Sequence, residues 1–270
     1  MSELVFYANS SLLEGPVWNE KLHVLMCVSI EQECIYLINP ESQLIQSYKT
    51  KGQVGFAAFR DNEHIIYASY TGVYCLNTKT CEENFLFHLI KNKDIRYNDG
   101  KIDPYGRLLL GTTGYNCVRN GENALYSWDG KQVKTLIKNT TISNGLDWYG
   151  EFLFFIDTPT HKIGRYFYDN MGNVTFDRYI IEINKGEPDG MCIDQEDGTI
   201  YIAIWGGGRV DAYNQQGIKL CEYSIPVLNV SSVCIANDNL YVTTAKNNAN
   251  KNSEMFAGGL FVIKNFKNKL

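Results

Sequence analysis

Several protein classes are excluded by what this chain lacks. It has no uninterrupted apolar run long enough to form a membrane-spanning helix. Its 25 Lys and Arg are outnumbered by 30 Asp and Glu, for a formal net charge of −5. No basic field is therefore available to hold nucleic acid or an anionic membrane surface. Only four histidines occur, His23, His64, His88 and His161, which argues against a His-rich zinc site. The eight cysteines, Cys27, Cys34, Cys75, Cys81, Cys117, Cys192, Cys221 and Cys234, form no C-x-x-C pair. Several sit inside apolar strand-like runs such as GMCID and SVCIA, so buried or half-buried free thiols are favoured over disulfides or a zinc site. The opening MSELVFYANSS has neither the basic start nor the apolar stretch of a secretory signal, and a cytoplasmic protein is expected. A sustained helical stripe is also missing; the nearest candidate, NFLFHLIKNK, is short.

Strand-like runs are plentiful. HIIYAS, RLLLGT, EFLFFID, TIYIAIW and NLYVTTA are rich in β-branched and aromatic residues, and each follows a turn cluster of Gly, Asp or Asn. They recur with a period. A glycine followed by an apolar strand appears at Gly55, Gly100, Gly145 and Gly190, each 45 residues after the last. Gly15 stands 40 residues before Gly55, and aligning GMCID with SVCIA puts Ser232 in the same register, 42 residues after Gly190. Six copies of a repeat of roughly 40–50 residues, each holding about four short strands, predict a six-bladed all-β propeller. Within one copy the strands are GMCID, TIYIAIW, GGRVDAYN and KLCEYSI, with turns at 194–198 and 214–217. The run Leu4–Ala8 precedes the first copy and GLFVIK follows the sixth. Pairing these terminal strands in one blade would close the ring and remove its exposed edges. The whole chain, 1–270, is read as a single domain with no need of a partner, so a monomer is expected.

The residue before each repeat glycine occupies the same place in its blade, at the start of the innermost strand. These residues are Glu14, Val54, Asp99, Asn144, Asp189 and Ser231, and their side chains are expected to converge at one mouth of the ring. Five carry oxygen and three are carboxylates. Crowded carboxylates are costly unless a cation or protons neutralise them, and Glu, Asp and Asn oxygens suit a hard divalent cation. Asp-Gly and Asn-Gly are also ordinary turn dipeptides. Three at one register, joined by Glu14, favour the cation.

The same stretches resemble the gluconolactonase family, which includes regucalcin and luciferin-regenerating enzyme. The likeness begins at Glu14-Gly15-Pro16-Val17-Trp18 and continues through Arg96-Tyr97-Asn98-Asp99-Gly100-Lys101. It resumes at Ser143-Asn144-Gly145-Leu146-Asp147-Trp148, Pro188-Asp189-Gly190-Met191 and Ala203-Ile204-Trp205-Gly206-Gly207-Gly208, and ends with Ala257-Gly258-Gly259-Leu260-Phe261. The resemblance implies a divalent metal held by Glu14, Asn144 and Asp189, with Arg96, Asn98 and Asp99 lining the substrate pocket. Ca²⁺ is the favoured ion, with Zn²⁺, Mn²⁺, Mg²⁺ and Fe²⁺ compatible with the same oxygens.

The expected activity is metal-dependent opening of a sugar lactone such as gluconolactone, with Asp189 as general base to the attacking water. Two alternatives stay open. One is a permissive esterase or organophosphate hydrolase using the same site; the other is a non-catalytic calcium-binding propeller acting as an interaction protein. The chain also departs from the family. Some relatives carry a substrate-recognising acid near the position of Asn116, where this loop reads TTGYNCVRNG with no acid before Glu122. Many also have an Asp where this chain has Cys27-Val28-Ser29-Ile30.

Overall fold

The computed structural model describes residues 2–246 and 254–269. Positions 1, 247–253 and 270 of the expected domain lie outside the described residues. Six four-stranded sheets are present, all with antiparallel neighbours. From the axis outward, blade 1 runs through Leu13–Asn19, Val24–Ser29, Cys34–Ile38 and Ile45–Lys49. Blade 2 uses Val54–Phe59, His64–Ser69, Gly72–Asn77 and Glu83–Phe87. Blade 3 uses Ile95–Ile102, Leu108–Gly114, Asn123–Trp128 and Val133–Thr140. Blade 4 uses Ser143–Tyr149, Phe152–Asp157, Lys162–Tyr168 and Val174–Glu182. Blade 5 uses Glu187–Ile193, Ile200–Trp205, Arg209–Tyr213 and Lys219–Ser224, matching the four strands read from that copy to within a few residues. Blade 6 takes Asn229–Ala236, Asn239–Ala245 and Gly259–Lys264 from the end of the chain and Ser2–Tyr7 from its beginning.

Consecutive inner strands touch one another, and the inner strand of blade 6 touches that of blade 1. The sheets therefore form a closed six-bladed β-propeller. Closure follows the expected pairing, with Ser2 opposite Ile263 and Tyr7 opposite Gly259. A second tie joins the same blades near the axis, where Ser231 Oγ donates to the Leu13 carbonyl at 2.6 Å. Helix is confined among the described residues to two short 3₁₀ turns, Thr158–Thr160 and Phe266–Lys269. The stretch NFLFHLIKNK gives the outer strand of blade 2 followed by irregular chain. All eight cysteines are free; five are buried, whereas Cys81 and Cys117 are exposed.

Burial follows position in the blade. The second strand of blade 5, IYIAIW, is buried on both faces except at its last residue, because neighbouring blades cover both sides of it. The outer strand of blade 1, IQSYK, buries only Tyr48. Near the axis there is too little room for ordinary strands, and two devices relieve the crowding. Every inner strand carries a register shift at the repeat position: Glu14/Val17, Val54/Phe56, Tyr97/Gly100, Ser143/Leu146, Pro188/Met191 and Val230/Ser232. Such bulges bend the strand and re-aim its side chains.

The second device is the glycine itself. A Cβ on Gly55 would lie 2.3 Å from the Tyr97 carbonyl oxygen of the next blade, and one on Gly145 would lie 2.7 Å from the Asp189 carbonyl oxygen. Of the five repeat glycines only Gly15 has positive φ. Close approach, not turn geometry, therefore explains Gly55 and Gly145, against the backbone of the next blade, Gly100, against the Leu109 carbonyl of its own blade and the Phe56 ring, and Gly190, against Ser232. Gly55 lies in a blade that contributes nothing to the cavity described below. Gly55→Ala should cost about 1–3 kcal/mol by overpacking, seen as a lower denaturant midpoint with an unchanged slope.

Candidate metal and substrate site

Where the inner strands begin, blades 1, 3, 4 and 5 enclose a cavity of about 280 Å³ lined by Glu14, Arg96, Asn98, Asn144 and Asp189. A larger cavity of about 550 Å³ lies beside the C-terminal turn, lined by residues such as Tyr223, Ile225, Ile263 and Phe266. No carboxylate lines it, whereas the smaller cavity gathers the register residues Glu14, Asn144 and Asp189 and is for that reason the candidate site. The structure thus brings five of the six candidate site residues to one place. Asp99 is not among the lining residues; its carboxylate accepts the Gly100 N–H at 2.7 Å. The other two register positions serve packing. Val54 is fully buried against blade 1, and the Ser231 hydroxyl is spent on Leu13.

A chain of hydrogen bonds crosses the floor of the cavity. Arg96 Nη1 donates to Asn98 Oδ1 at 2.8 Å and to the Tyr97 carbonyl at 3.0 Å. Asn98 Nδ2 donates to Asn144 Oδ1 at 2.6 Å and to the Ser143 carbonyl at 3.0 Å. Asn144 Nδ2 donates to Thr158 Oγ1 at 2.7 Å, and Thr158 Oγ1 donates to the Pro188 carbonyl at 2.8 Å. This last link settles the amide's orientation. A carbonyl can only accept, so the Thr158 hydroxyl gives it its one proton and must accept from Asn144. Nitrogen therefore faces Thr158, and Oδ1 faces the opposite way, toward Asn98. That oxygen keeps a second lone pair free for a cation.

Charge in the cavity is poorly balanced. Glu14 is pushed up from the ordinary 4.5 to about 8, chiefly by loss of water and then by Asp99, despite the Gly15 N–H and Arg96. Burial pushes Asp189 well above the usual carboxylate range, with Glu14, Asp99 and Glu187 adding repulsion that Arg96 only partly offsets. Asp99 is raised to about 6 by burial, in spite of the Gly100 N–H and Lys101. Burial lowers Arg96, against the pull of Glu14 and Asp189. One guanidinium does not neutralise this group, so protons or a cation must. No three His, Cys, Asp or Glu side chains gather at metal-binding geometry among the described residues. The available set is two carboxylates and one amide, Glu14, Asp189 and Asn144, all hard oxygen donors that fit a hard divalent ion.

Sequence reasoning missed Thr158, which orients Asn144 from the end of the second strand of blade 4. It also missed Leu12, Thr113, Cys117, Val118, Ile142 and Glu187, which complete the wall together with Trp205. Leu12, Ile142 and Glu187 stand two residues before Glu14, Asn144 and Asp189, a spacing that strand alternation would have picked out. Gly206–Gly208, which follow Trp205, form the turn into the next strand of blade 5. Glu122 does not supply the missing acid; it lies 3.7 Å from Arg119 and does not line the cavity. In blade 1, within the stretch Cys27-Val28-Ser29-Ile30, the buried hydroxyl of Ser29 pairs with that of Ser10 at 2.6 Å.

Residues 12–246 match the family model described as the SMP-30/Gluconolactonase/LRE-like region. YvrE of Bacillus subtilis (strain 168), named for sugar lactone lactonase activity, is 34% identical over 268 residues, covering 92% of this chain and 89% of its own. Regucalcin of Oryctolagus cuniculus is 31% identical over 279 residues, covering 97% and 93%. Among solved structures, a luciferin-regenerating enzyme superposes with a TM-score of 0.88 at 23% identity, covering 98% of this chain and 95% of that one. A calcium-binding regucalcin of Agrobacterium tumefaciens gives 0.89 at 23% identity, covering 96% and 92%.

Two measurements follow from the geometry. Thr158→Val frees the Asn144 amide to turn and should weaken divalent-metal binding about 10–100-fold, whereas Thr158→Ser should bind as the wild type does in a chelator competition. The second concerns stability without metal. Glu14 and Asp99 hold protons in the native state at pH values where the unfolded chain has released them. Stability from these groups is therefore greatest at low pH and is lost as pH rises, between 3.8 and about 6 for Asp99 and between 4.5 and about 8 for Glu14. Metal-stripped protein should melt lower at about pH 8 than Glu14→Gln does, with the gap closing near about pH 5. Saturating Ca²⁺ should raise the wild-type Tm most at the higher pH.

Proposed function

Because the chain belongs to the SMP-30/gluconolactonase/LRE-like family, we propose that it is a hydrolase opening a sugar lactone such as gluconolactone at the cavity of Glu14, Asn144 and Asp189. The observation that carries this reading is the cavity itself. Two raised carboxylates and an amide oxygen converge there with a guanidinium at their side. Likeness to a protein named for sugar lactone lactonase activity supports the substrate class. Glu14, Asn144 and Asp189 would hold one divalent ion, Ca²⁺ by preference, which supplies Lewis-acid polarisation of the lactone carbonyl.

The chain's own groups account for the remaining steps. Asp189 takes a proton from the attacking water as the water oxygen bonds to the carbonyl carbon. The acyl carbon–ring oxygen bond then breaks, and the same proton returns to the ring oxygen as it becomes a hydroxyl. Arg96 lines the cavity with its charge beside both carboxylates, and its N–H groups can donate to the substrate's oxygens. Asn98 holds Arg96 and Asn144 in register through two of its three hydrogen bonds, and its edge on the cavity is the place for a substrate hydroxyl. Asp99, set back from the lining, contributes negative charge beneath the site. A cavity of about 280 Å³ is of a size to place a monomeric lactone.

Asp189→Asn should leave the protein folded and lower kcat/KM for its lactone about 10²–10⁴-fold, the usual worth of a general base. Proton release from a lactone panel with metal-stripped protein, before and after adding single divalent ions, checks both parts. Turnover restored by one ion supports the reading. Folded protein that binds the ion and turns over no lactone overturns it, in favour of a non-catalytic calcium-binding propeller.

A further inference from the structure

Thr113 lines the cavity, and only 6% of it is exposed. It stands in the second strand of blade 3, directly opposite Arg96 in the first. Residues paired this way point to the same face of a sheet with Cβ atoms about 5 Å apart. The Thr113 side chain therefore faces the cavity beside the Arg96 guanidinium. Its backbone is fixed from the other side by a bridge to Ile142, just before blade 4. Thr112, one place earlier, points the opposite way and spends its hydroxyl within the sheet. It donates to the Ala124 carbonyl at 3.2 Å and accepts the Ala124 N–H at 3.1 Å. The Thr113 hydroxyl does neither. Among the described residues it has no hydrogen-bond partner, yet it is not sealed from water. Its partner must come from the cavity.

We infer that Thr113 and Arg96 together recognise a hydroxyl group of the lactone, which makes Thr113 a specificity-determining residue. The inference rests on the lactone-hydrolase reading. Arg96 has donors to spare, since Nη1 serves Asn98 and the Tyr97 carbonyl while Nε and Nη2 have no acceptor among the described residues. A guanidinium only donates, whereas a threonine hydroxyl both donates and accepts. The lactone carbonyl and ring oxygens only accept, and the proposed reaction holds the carbonyl at Glu14, Asn144 and Asp189. A hydroxyl on the substrate suits the remaining pair, its oxygen taking an Arg96 N–H and its proton going to Thr113 Oγ1. Blade 3 offers no other acceptor there, because Asn98 Oδ1 already takes the Arg96 proton and no carboxylate of that blade lines the cavity. A lactone with hydrogen in place of that hydroxyl leaves both groups unpaired.

The test uses metal-loaded enzyme and two lactones. One is glucono-δ-lactone, or whichever sugar lactone the wild type opens fastest; the other is δ-valerolactone, a six-membered lactone with no hydroxyl. Thr113→Val keeps the shape of the side chain and removes its hydroxyl. Because that hydroxyl bonds nothing in the protein, the variant should unfold at the wild-type denaturant midpoint. We expect it to lower kcat/KM for the sugar lactone about tenfold, chiefly through KM, and for δ-valerolactone by clearly less. Thr113→Ser, which keeps the hydroxyl, should recover most of the loss. An equal loss on both lactones, no loss on either, or a serine variant as impaired as the valine one would overturn the inference and leave the lactonase reading standing. A wild type that opens no lactone would overturn both.

Discussion

Six strands meeting around one narrow axis is the constraint from which most of this molecule follows. A sheet whose inner edge faces five others cannot carry ordinary side chains there. Backbones come within contact at the repeat glycines, as at Gly55 against Tyr97 and Gly145 against Asp189. Each inner strand bulges at the same level. Crowding and bulging together turn a few consecutive residues of each blade out of the regular ladder. Those residues are free of sheet packing and stand close to their counterparts in other blades. A site assembled from distant parts of the sequence is therefore a consequence of how the ring closes.

The cost of that convergence is electrostatic. Glu14 and Asp189 line one cavity where burial strips them of water, and both carboxyls rise despite Arg96. Nothing in the propeller's packing calls for this arrangement, since Val54 and Ser231 fill the same register in blades 2 and 6 with an apolar contact and a neutral hydrogen bond. Blades that serve the fold use uncharged residues, and those that carry charge lower stability near neutral pH. Such a local conflict marks a position kept for chemistry.

The repeat was the most legible feature of the sequence, because a glycine marks the inner strand of five blades, and in four of them close approach of neighbouring atoms leaves no room for a side chain. Closure by the terminal strands was legible too, from two strand-like runs left over at the ends. The site was legible in outline. The register identified Glu14, Asn144 and Asp189, and the family resemblance added Arg96 and Asn98. Both also pointed to Asp99, which is not among the lining residues, whereas its neighbour Asn98 is; the bulge in blade 3 takes in both residues, and the repeat spacing cannot say which one turns inward. Asn144-Gly145 and Asp189-Gly190 read as turn dipeptides by composition, yet neither glycine has positive φ. Thr158 was invisible. Its role depends on the Pro188 carbonyl of the next blade arriving within 2.8 Å, and no pattern within a blade records contacts between blades.

The number of protein donors bears on what such a site is for. A calcium ion takes six to eight oxygen ligands, roughly, and a site meant only to hold the ion surrounds it. Here three side chains from blades 1, 4 and 5 could reach one ion, while Val54 and Ser231 are committed to packing and offer it nothing. About half of the coordination sphere would be left to water and to oxygens brought from outside. An ion held this way is a weak structural brace but a good electrophile, because its open positions lie in the same cavity as Arg96 and the substrate-facing wall. The incompleteness of the ring of donors therefore favours a catalytic centre over a calcium buffer, and the hydrogen bonds from Asn98 and to Thr158 hold one of those donors, Asn144, in a single orientation.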